Sequence, residues 1–195
     1  MRIAIALVTI SFHVLVLRYN NGMDNGKKRK SQIRTLSHPF PLVYNSTSRV
    51  LILGSFPSVK AVQEGYYYAN PHNRFYRVMS VILNEDLVTI PWPKKKEIFL
   101  SHHIALHDVI GYCTILGSSD AKISDVRPSP LEVIFNNAPI ARVICNGAKA
   151  YQEYMRFFKD VPLTVVQVPS TSPANAKTQL NDLVEAWKQA LNDVI

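Results

Sequence analysis

Cysteine is scarce: among 195 residues only Cys113 and Cys145 occur, far apart and in no C-x-x-C pair. Two thiols cannot form a disulfide framework, and they are too few for an all-cysteine iron–sulfur cluster. They read as small buried residues of a reducing compartment. Other familiar signatures are missing too. Without G-x-x-x-x-G-K-[ST] or G-x-G-x-x-G, nucleoside triphosphates and dinucleotides lose their usual cradle. No H-x-E is joined to a P-C-x-x-C, which excludes the zinc deaminases. The six histidines show no H-E-x-x-H spacing. His102 and His103 are adjacent and would point apart on a regular element, so no metal site is expected. No G-x-S-x-G marks a nucleophile elbow.

Acidic residues are also in short supply, but unevenly. The net charge is +8, which invites a nucleic-acid reading. Residues 1–48 hold seven Lys/Arg against one Asp, whereas residues 49–195 hold fifteen Lys/Arg against thirteen Asp/Glu. The basic character therefore belongs mostly to the tail, and any phosphate-binding surface on the body must come from local placement and backbone amides at helix starts.

The composition, 47% hydrophobic and 18% charged, suits one domain with a real core. The apolar stretch 3–17 is shorter than the ~20 residues of a spanning helix. It fits a signal or anchor, an organelle-targeting segment, or residues translated upstream of a start at Met23. No small-x-small cleavage site follows it, and the lack of disulfides speaks for an intracellular protein, so the third reading is favoured. Residues 20–30 are polar and expected to be disordered. Lys27-Lys28-Arg29-Lys30 reads equally as a nuclear signal, a nucleic-acid arm or a solvated linker. Residues 1–36 are thus set apart as a tail and residues 37–195 as the domain.

The apolar run 50–53 reads as a buried strand, ended at once by Gly54-Ser55-Phe56-Pro57-Ser58. A long polar and aromatic loop leads to Asn73. A helix follows, with Phe75, Val78, Met79, Ile82 and Leu83 on one face. A short helix is expected over 94–102, a second strand over 104–110, and a long irregular segment over 111–127. Ser129-Pro130 has the chemistry to start a helix over 131–137. A third strand, 141–145, turns at Asn146-Gly147 into a helix with Ala148, Tyr151, Met155 and Phe158 on one face. A fourth strand, 163–168, runs into Pro169-Ser170-Thr171-Ser172-Pro173-Ala174-Asn175. The last helix carries Leu180, Leu183, Val184, Trp187, Leu191 and Val194. Strands alternating with helices predict a mostly parallel α/β sheet covered on both sides.

Ligands of such sheets bind beyond the carboxyl ends of the strands. Three loops leave those ends: 54–73, 146–147 and 169–175. Their amides, hydroxyls and aromatics suit a flat, hydrogen-bonding ring, stacked by Phe56 or Phe75 and read by Asn146. The Ser/Thr-rich loop offers hydroxyls and free N–H groups to a phosphate.

Five motifs in order carry a resemblance. They are Leu51-Ile52-Leu53-Gly54-Ser55-Phe56-Pro57-Ser58, Tyr67-Tyr68-Ala69-Asn70-Pro71-His72-Asn73-Arg74-Phe75-Tyr76, Gly117-Ser118-Ser119-Asp120, Asn146-Gly147-Ala148-Lys149-Ala150, and the 169–175 loop. With them, residues 37–191 resemble the uracil-DNA glycosylase superfamily, most closely its hypoxanthine-DNA (deoxyinosine) branch. The resemblance implies a three-layer α/β/α sandwich around a four-stranded parallel sheet. It implies a monofunctional, cofactor-free hydrolase that excises a deaminated base, deoxyinosine by preference, from DNA. The partner is then DNA containing such a base, with no membrane partner and a monomeric protein. Asn73 is implied as the catalytic residue that positions water, and Asn146, Phe75, Ser55 and Phe56 as base-binding. Ser170, Thr171, Ser172 and Asn175 are implied as DNA-binding. Tyr76 and His107 stand where the family commonly has tryptophan, and both are expected to pack. The competing readings are a uracil or thymine mismatch glycosylase and a non-catalytic nucleic-acid-binding module of the same fold.

Overall fold

The computed structural model describes residues 33–116 and 123–195. The apolar start, the basic run 27–30 and the 117–120 motif lie outside the described residues.

Four strands form one parallel sheet: β2 (Val50–Gly54), β3 (Ile104–Asp108), β6 (Arg142–Asn146) and β7 (Thr164–Val168). Their spatial order is β3-β2-β6-β7. The chain leaves β2 for β3 on one side and returns to place β6 on the other. The order reverses there, so a crevice opens beyond the carboxyl ends of β2 and β6. The register levels those ends: Gly54 pairs with Asp108, Leu53 with Cys145, and Asn146 with Val168.

β2 is buried along its whole length, as a central parallel strand must be. Its alternate residues face opposite layers. Val50 and Ile52 join a core with α2 (Phe75–Leu83), α3 (Trp92–Ser101) and α6 (Leu180–Leu191), supplied by Phe75, Val78, Met79, Phe99, Leu183, Trp187 and Leu191. Leu51 and Leu53 join the other core, with Ile134 of α4 (Glu132–Asn137) and Ala150, Tyr154 and Phe158 of α5 (Ala148–Phe158). The result is the expected α/β/α sandwich. Among the described residues no helix is long and apolar enough to cross a membrane.

Several local expectations are corrected. The segment 111–127 is not irregular over its described part. β4 (Ile110–Leu116) pairs antiparallel with β1 (Ile33–Ser37) and with β5 (Ile123–Pro128), forming a second sheet ordered β1-β4-β5. Pairing with the distant β1 and two register shifts in the β4–β5 ladder hide this strand from local pattern. The second parallel strand stops at Asp108, and after Val109 the chain passes straight into β4. Residue 37, where the domain is expected to start, is the last residue of β1.

The loop after β2 contains a short helix, α1 (Val59–Glu64). Ser58 accepts the Ala61 N–H at 3.2 Å, and left-handed Gly65 (φ 83°) closes the helix. Ser129 does not cap α4: its hydroxyl is buried without a hydrogen-bond partner, and Leu131 is the capping position. On α5 the buried face runs through Ala150, Tyr154 and Phe158, with Ala148 exposed and Tyr151 and Met155 half-buried.

Candidate active site at the sheet switch point

Gly54, Asp108 and Asn146 lie level in a row across β3, β2 and β6, at the carboxyl edge. They line one cavity with Ser55 and Phe56 after β2, Asn73 before α2, and Ser170 and Ser172 after β7. The remaining rings of the wall are Phe40, Tyr67 and Tyr68. Three loops distant in sequence meet here because parallel strands send every carboxyl end to the same edge.

The Asn146 amide is fixed on both sides by one residue. Its Nδ2–H donates to Thr171 Oγ1 at 2.9 Å, and its Oδ1 accepts the Thr171 backbone N–H at 2.9 Å. The 169–175 loop comes this close because Gly147 (φ 96°) has no side chain. A Cβ there would lie 2.8 Å from the Ser170 Cβ.

Asn73 is held at the start of α2, where its Oδ1 accepts the Phe75 N–H at 3.0 Å. Next to it, Arg74 ties the same loop down. The Arg74 N–H donates to Thr171 O at 3.0 Å. The guanidinium donates to the carbonyls of Asn175 (2.7 Å), Ser172 (3.3 Å) and Thr178. Thr171 is thus joined to Asn146 through its N–H and hydroxyl, and to the residue after Asn73 through its carbonyl.

The expected residues divide. Asn73, Asn146, Ser55, Phe56, Ser170 and Ser172 line the cavity. Phe75 does not: it is fully buried, and its ring stacks on Tyr68 with centroids 3.9 Å apart. Tyr68 is the ring on the cavity wall, and Phe75 backs it from the core. Thr171 is also fully buried, so it positions Asn146 and has no surface to offer DNA. The Asn175 side chain is spent within its own loop, donating to Ser170 O at 2.8 Å and accepting from Thr178 Oγ1 at 3.1 Å.

Sequence reasoning missed the ionisable part of the site. Asp108 is the cavity's carboxylate. His38 Nε2 is 2.9 Å from its Oδ2, and both side chains are almost wholly buried. Its Oδ1 lies over Gly54, 2.0 Å from where a Cβ would stand. His38 also packs on His107, with ring centroids 4.3 Å apart. Burial, aided by the charge of His38, pushes His107 down to about 2, so it is neutral.

His107 Nδ1 is 2.6 Å from the Tyr67 hydroxyl, which donates to Pro41 O at 2.9 Å. Burial raises the Tyr67 and Tyr68 hydroxyls well above their ordinary range, and the charge of Asp108 adds to both. The Tyr68 hydroxyl is buried without a hydrogen-bond partner of good geometry, and its backbone is left-handed (φ 56°). The one available signal for Asp108 is an acid ending a largely apolar strand, Ile104-Ala105-Leu106-His107-Asp108. His107 packs, as expected. So does Tyr76, over which the Lys95 ammonium lies at 4.3 Å.

Both cysteines are free and buried. Among the described residues no three His, Cys, Asp or Glu side chains converge as metal ligands would.

A base-sized polar crevice at the switch point of a small parallel sheet has a family. Residues 40–193 match the family model described as the uracil DNA glycosylase superfamily, and the chain belongs to it. Among its relatives, a hypoxanthine DNA glycosylase of Methanosarcina acetivorans is 33% identical over 143 residues, 73% of this chain and 90% of the relative. A hypoxanthine DNA glycosylase of Methanosarcina barkeri is 28% identical over 151 residues, covering 77% and 95%. A solution NMR structure of a candidate uracil DNA glycosylase from Methanosarcina acetivorans superposes with a TM-score of 0.71 at 29% identity, covering 84% of this chain and 99% of that one.

Proposed function

We propose that this protein is a DNA glycosylase that hydrolyses the N-glycosidic bond of a deaminated base, hypoxanthine by preference, flipped out of DNA. The observation that carries the reading is the convergence of Asn73 and Asn146 on one cavity, each amide held by backbone hydrogen bonds. The relatives named above as hypoxanthine DNA glycosylases support the substrate.

A base inside the duplex cannot reach this crevice, so it is extruded at a cost of ~ a few kcal/mol, least where deamination has already weakened pairing. Tyr68 offers its ring to the base from the wall, and the Phe56 ring lines the same cavity, edge-on to His38 with centroids 6.1 Å apart. Asn73 orients water toward the anomeric carbon. An amide is a poor general base, but at a sugar with oxocarbenium character, positioning matters more than proton abstraction. The second Nδ2–H of Asn146, beyond the one given to Thr171, stabilises charge on the departing base. Ser170 and Ser172, at the cavity rim after β7, hold the flanking phosphate. The protein acts as a monomer.

Purified full-length protein incubated with duplexes carrying one deoxyinosine, uracil, xanthine or thymine mismatch tests this reading through abasic-site formation. Release from the deoxyinosine duplex, lost in Asn73→Ala with DNA binding kept, is expected. Binding without release from any duplex would instead make the protein a non-catalytic DNA-binding module.

A further inference from the structure

We infer that Asp108 is a specificity-determining residue: its carboxylate accepts the ring N–H that deamination creates on the base. The inference rests on the glycosylase reading above and adds to it the group that tells a deaminated base from adenine or cytosine.

Asp108 and Asn146 stand level at the ends of β3 and β6, with β2 between them. Two strand spacings put their backbones ~10 Å apart. The residue between them is Gly54, which has no side chain, and the space above it is shared by Asp108 Oδ1 and the Tyr68 hydroxyl, 2.0 Å and 3.3 Å from where a Cβ would stand. Asp108 Oδ1 reaches into that space, over the Gly54 Cα, while Oδ2 is occupied by His38 at 2.9 Å. His38 is itself fixed: its backbone N–H donates to Gly111 O at 2.8 Å, and its Nδ1 lies 3.2 Å from the Phe40 backbone. The carboxylate is therefore aimed, with one oxygen tied back and the other at the cavity.

An ionised carboxylate offers acceptors only. Asn146, on the strand beyond Gly54, has a second N–H besides the one bonding Thr171, with the Tyr68 hydroxyl beside it. A ring that fits between them presents a carbonyl to Asn146 and an N–H to Asp108. Hypoxanthine has that pair as O6 and N1–H. Adenine has the reverse, an amino group beside a bare ring nitrogen, and would set a lone pair against the carboxylate. Uracil and cytosine differ in the same way at O4 and N3. Guanine and thymine keep a ring N–H, so this group does not exclude them. A buried acceptor left without its donor is the kind of mismatch that discriminates strongly.

The experiment compares binding of the full-length protein to duplexes with a non-cleavable 2′-fluoroarabino nucleotide bearing hypoxanthine or N1-methylhypoxanthine. Methylation removes the N–H and keeps O6. For the native chain the methyl is expected to weaken binding tenfold to about a hundredfold, the range for a hydrogen bond to a charged group. In Asp108→Ala the same methyl is expected to cost less than about threefold, because its partner is gone. Asp108→Ser is read the same way should the alanine variant fail to fold. A native chain indifferent to the methyl, or an equal penalty in native and variant, overturns the assignment. Hypoxanthine release from the cleavable duplex by the native chain, scored in parallel, separates that result from failure of the glycosylase reading itself.

Discussion

Thr171 grips the Asn146 amide from both ends, with its N–H on Oδ1 and its hydroxyl on Nδ2, each at 2.9 Å. An asparagine amide can turn over, and here only one orientation satisfies both contacts. That leaves Asn146 one N–H beyond the Thr171 pair, on the side of the Tyr68 hydroxyl. Thr171→Val keeps the shape and the backbone contact but removes the hydroxyl. We expect kcat/KM on the deoxyinosine duplex to fall ~tenfold or more, with stability lowered by ~1–3 kcal/mol for the unpaired amide hydrogen. Thr171→Ser restores both. Single-turnover rates beside urea unfolding curves give the two numbers.

Asn73 has two roles that a pair of variants separates. Its Oδ1 receives the Phe75 N–H at the start of α2, so Asn73→Ala should cost ~1 kcal/mol of stability as a lost side-chain-to-backbone hydrogen bond. Asn73→Ser keeps a side-chain oxygen two residues before Phe75 and should recover most of that stability. Neither should recover catalysis, because a hydroxyl cannot orient water as the longer amide does. A serine variant as active as the native protein would remove Asn73 from the chemistry.

Gly54 and Gly65 make a matched comparison. A Cβ at Gly54 would meet Asp108 Oδ1 at 2.0 Å, whereas at Gly65 nothing lies within 4 Å and only the left-handed backbone (φ 83°) resists. Gly54→Ala should displace Asp108, cost ~1–3 kcal/mol and impair base excision strongly. Gly65→Ala should cost ~1 kcal/mol and leave excision within about twofold. Thermal melts and excision rates of both variants check the contrast.

Arg74 binds the carbonyls of Ser172, Asn175 and Thr178, a fan that only a guanidinium supplies. Arg74→Lys should therefore loosen the 169–175 loop although the charge is kept. The expected readout is faster amide hydrogen exchange in that loop and a kcat/KM reduced by about tenfold. Unchanged exchange would show that the loop holds itself.

His107 sets a pH dependence. Its ordinary value of 6.5 is pushed down to about 2 in the fold. Between those values the unfolded chain binds a proton that the folded chain does not, so this residue lowers stability as pH falls from 6.5. The loss is up to ~1.4 kcal/mol per pH unit and absent above 6.5. His107→Phe removes the titration, and its unfolding free energy should fall less than the native value between about pH 6.5 and 5. Parallel native and variant curves over that range would contradict the assignment.

Much of this protein was legible without coordinates. The apolar run 50–53 had to be a buried strand, because no surface element tolerates it. The breaks after each strand are Gly, Pro, Ser and Asn, whose backbone preferences are local. Alternation of strand and helix then forces a parallel sheet, and a parallel sheet puts Ser55, Asn73, Asn146 and the 169–175 loop at one edge. Burial direction was less legible. Phe75 and Tyr68 are both aromatic and close in sequence; the helical period puts Phe75 on an apolar face, while the resemblance implies that it binds the base. The packing of Phe75 against Phe99 and Trp187 decides it. Thr171 and Asn175 looked like ligands of DNA for the same reason, since polarity alone does not show that a side chain is already spent inside the protein. The β4–β5 pair is hard to read locally because two register shifts break its alternation and its other partner, β1, lies far away in the chain.

The sequence by itself determined the order of elements, the sheet type and the edge where the site forms, since these follow from local backbone preference and hydrophobic period. Only the tertiary structure decided which carboxylate enters the site. Asp108 comes from one strand, its partner His38 from the entry segment and the space for its oxygen from Gly54 on another strand. That combination depends on register across the sheet, which no single stretch of sequence contains.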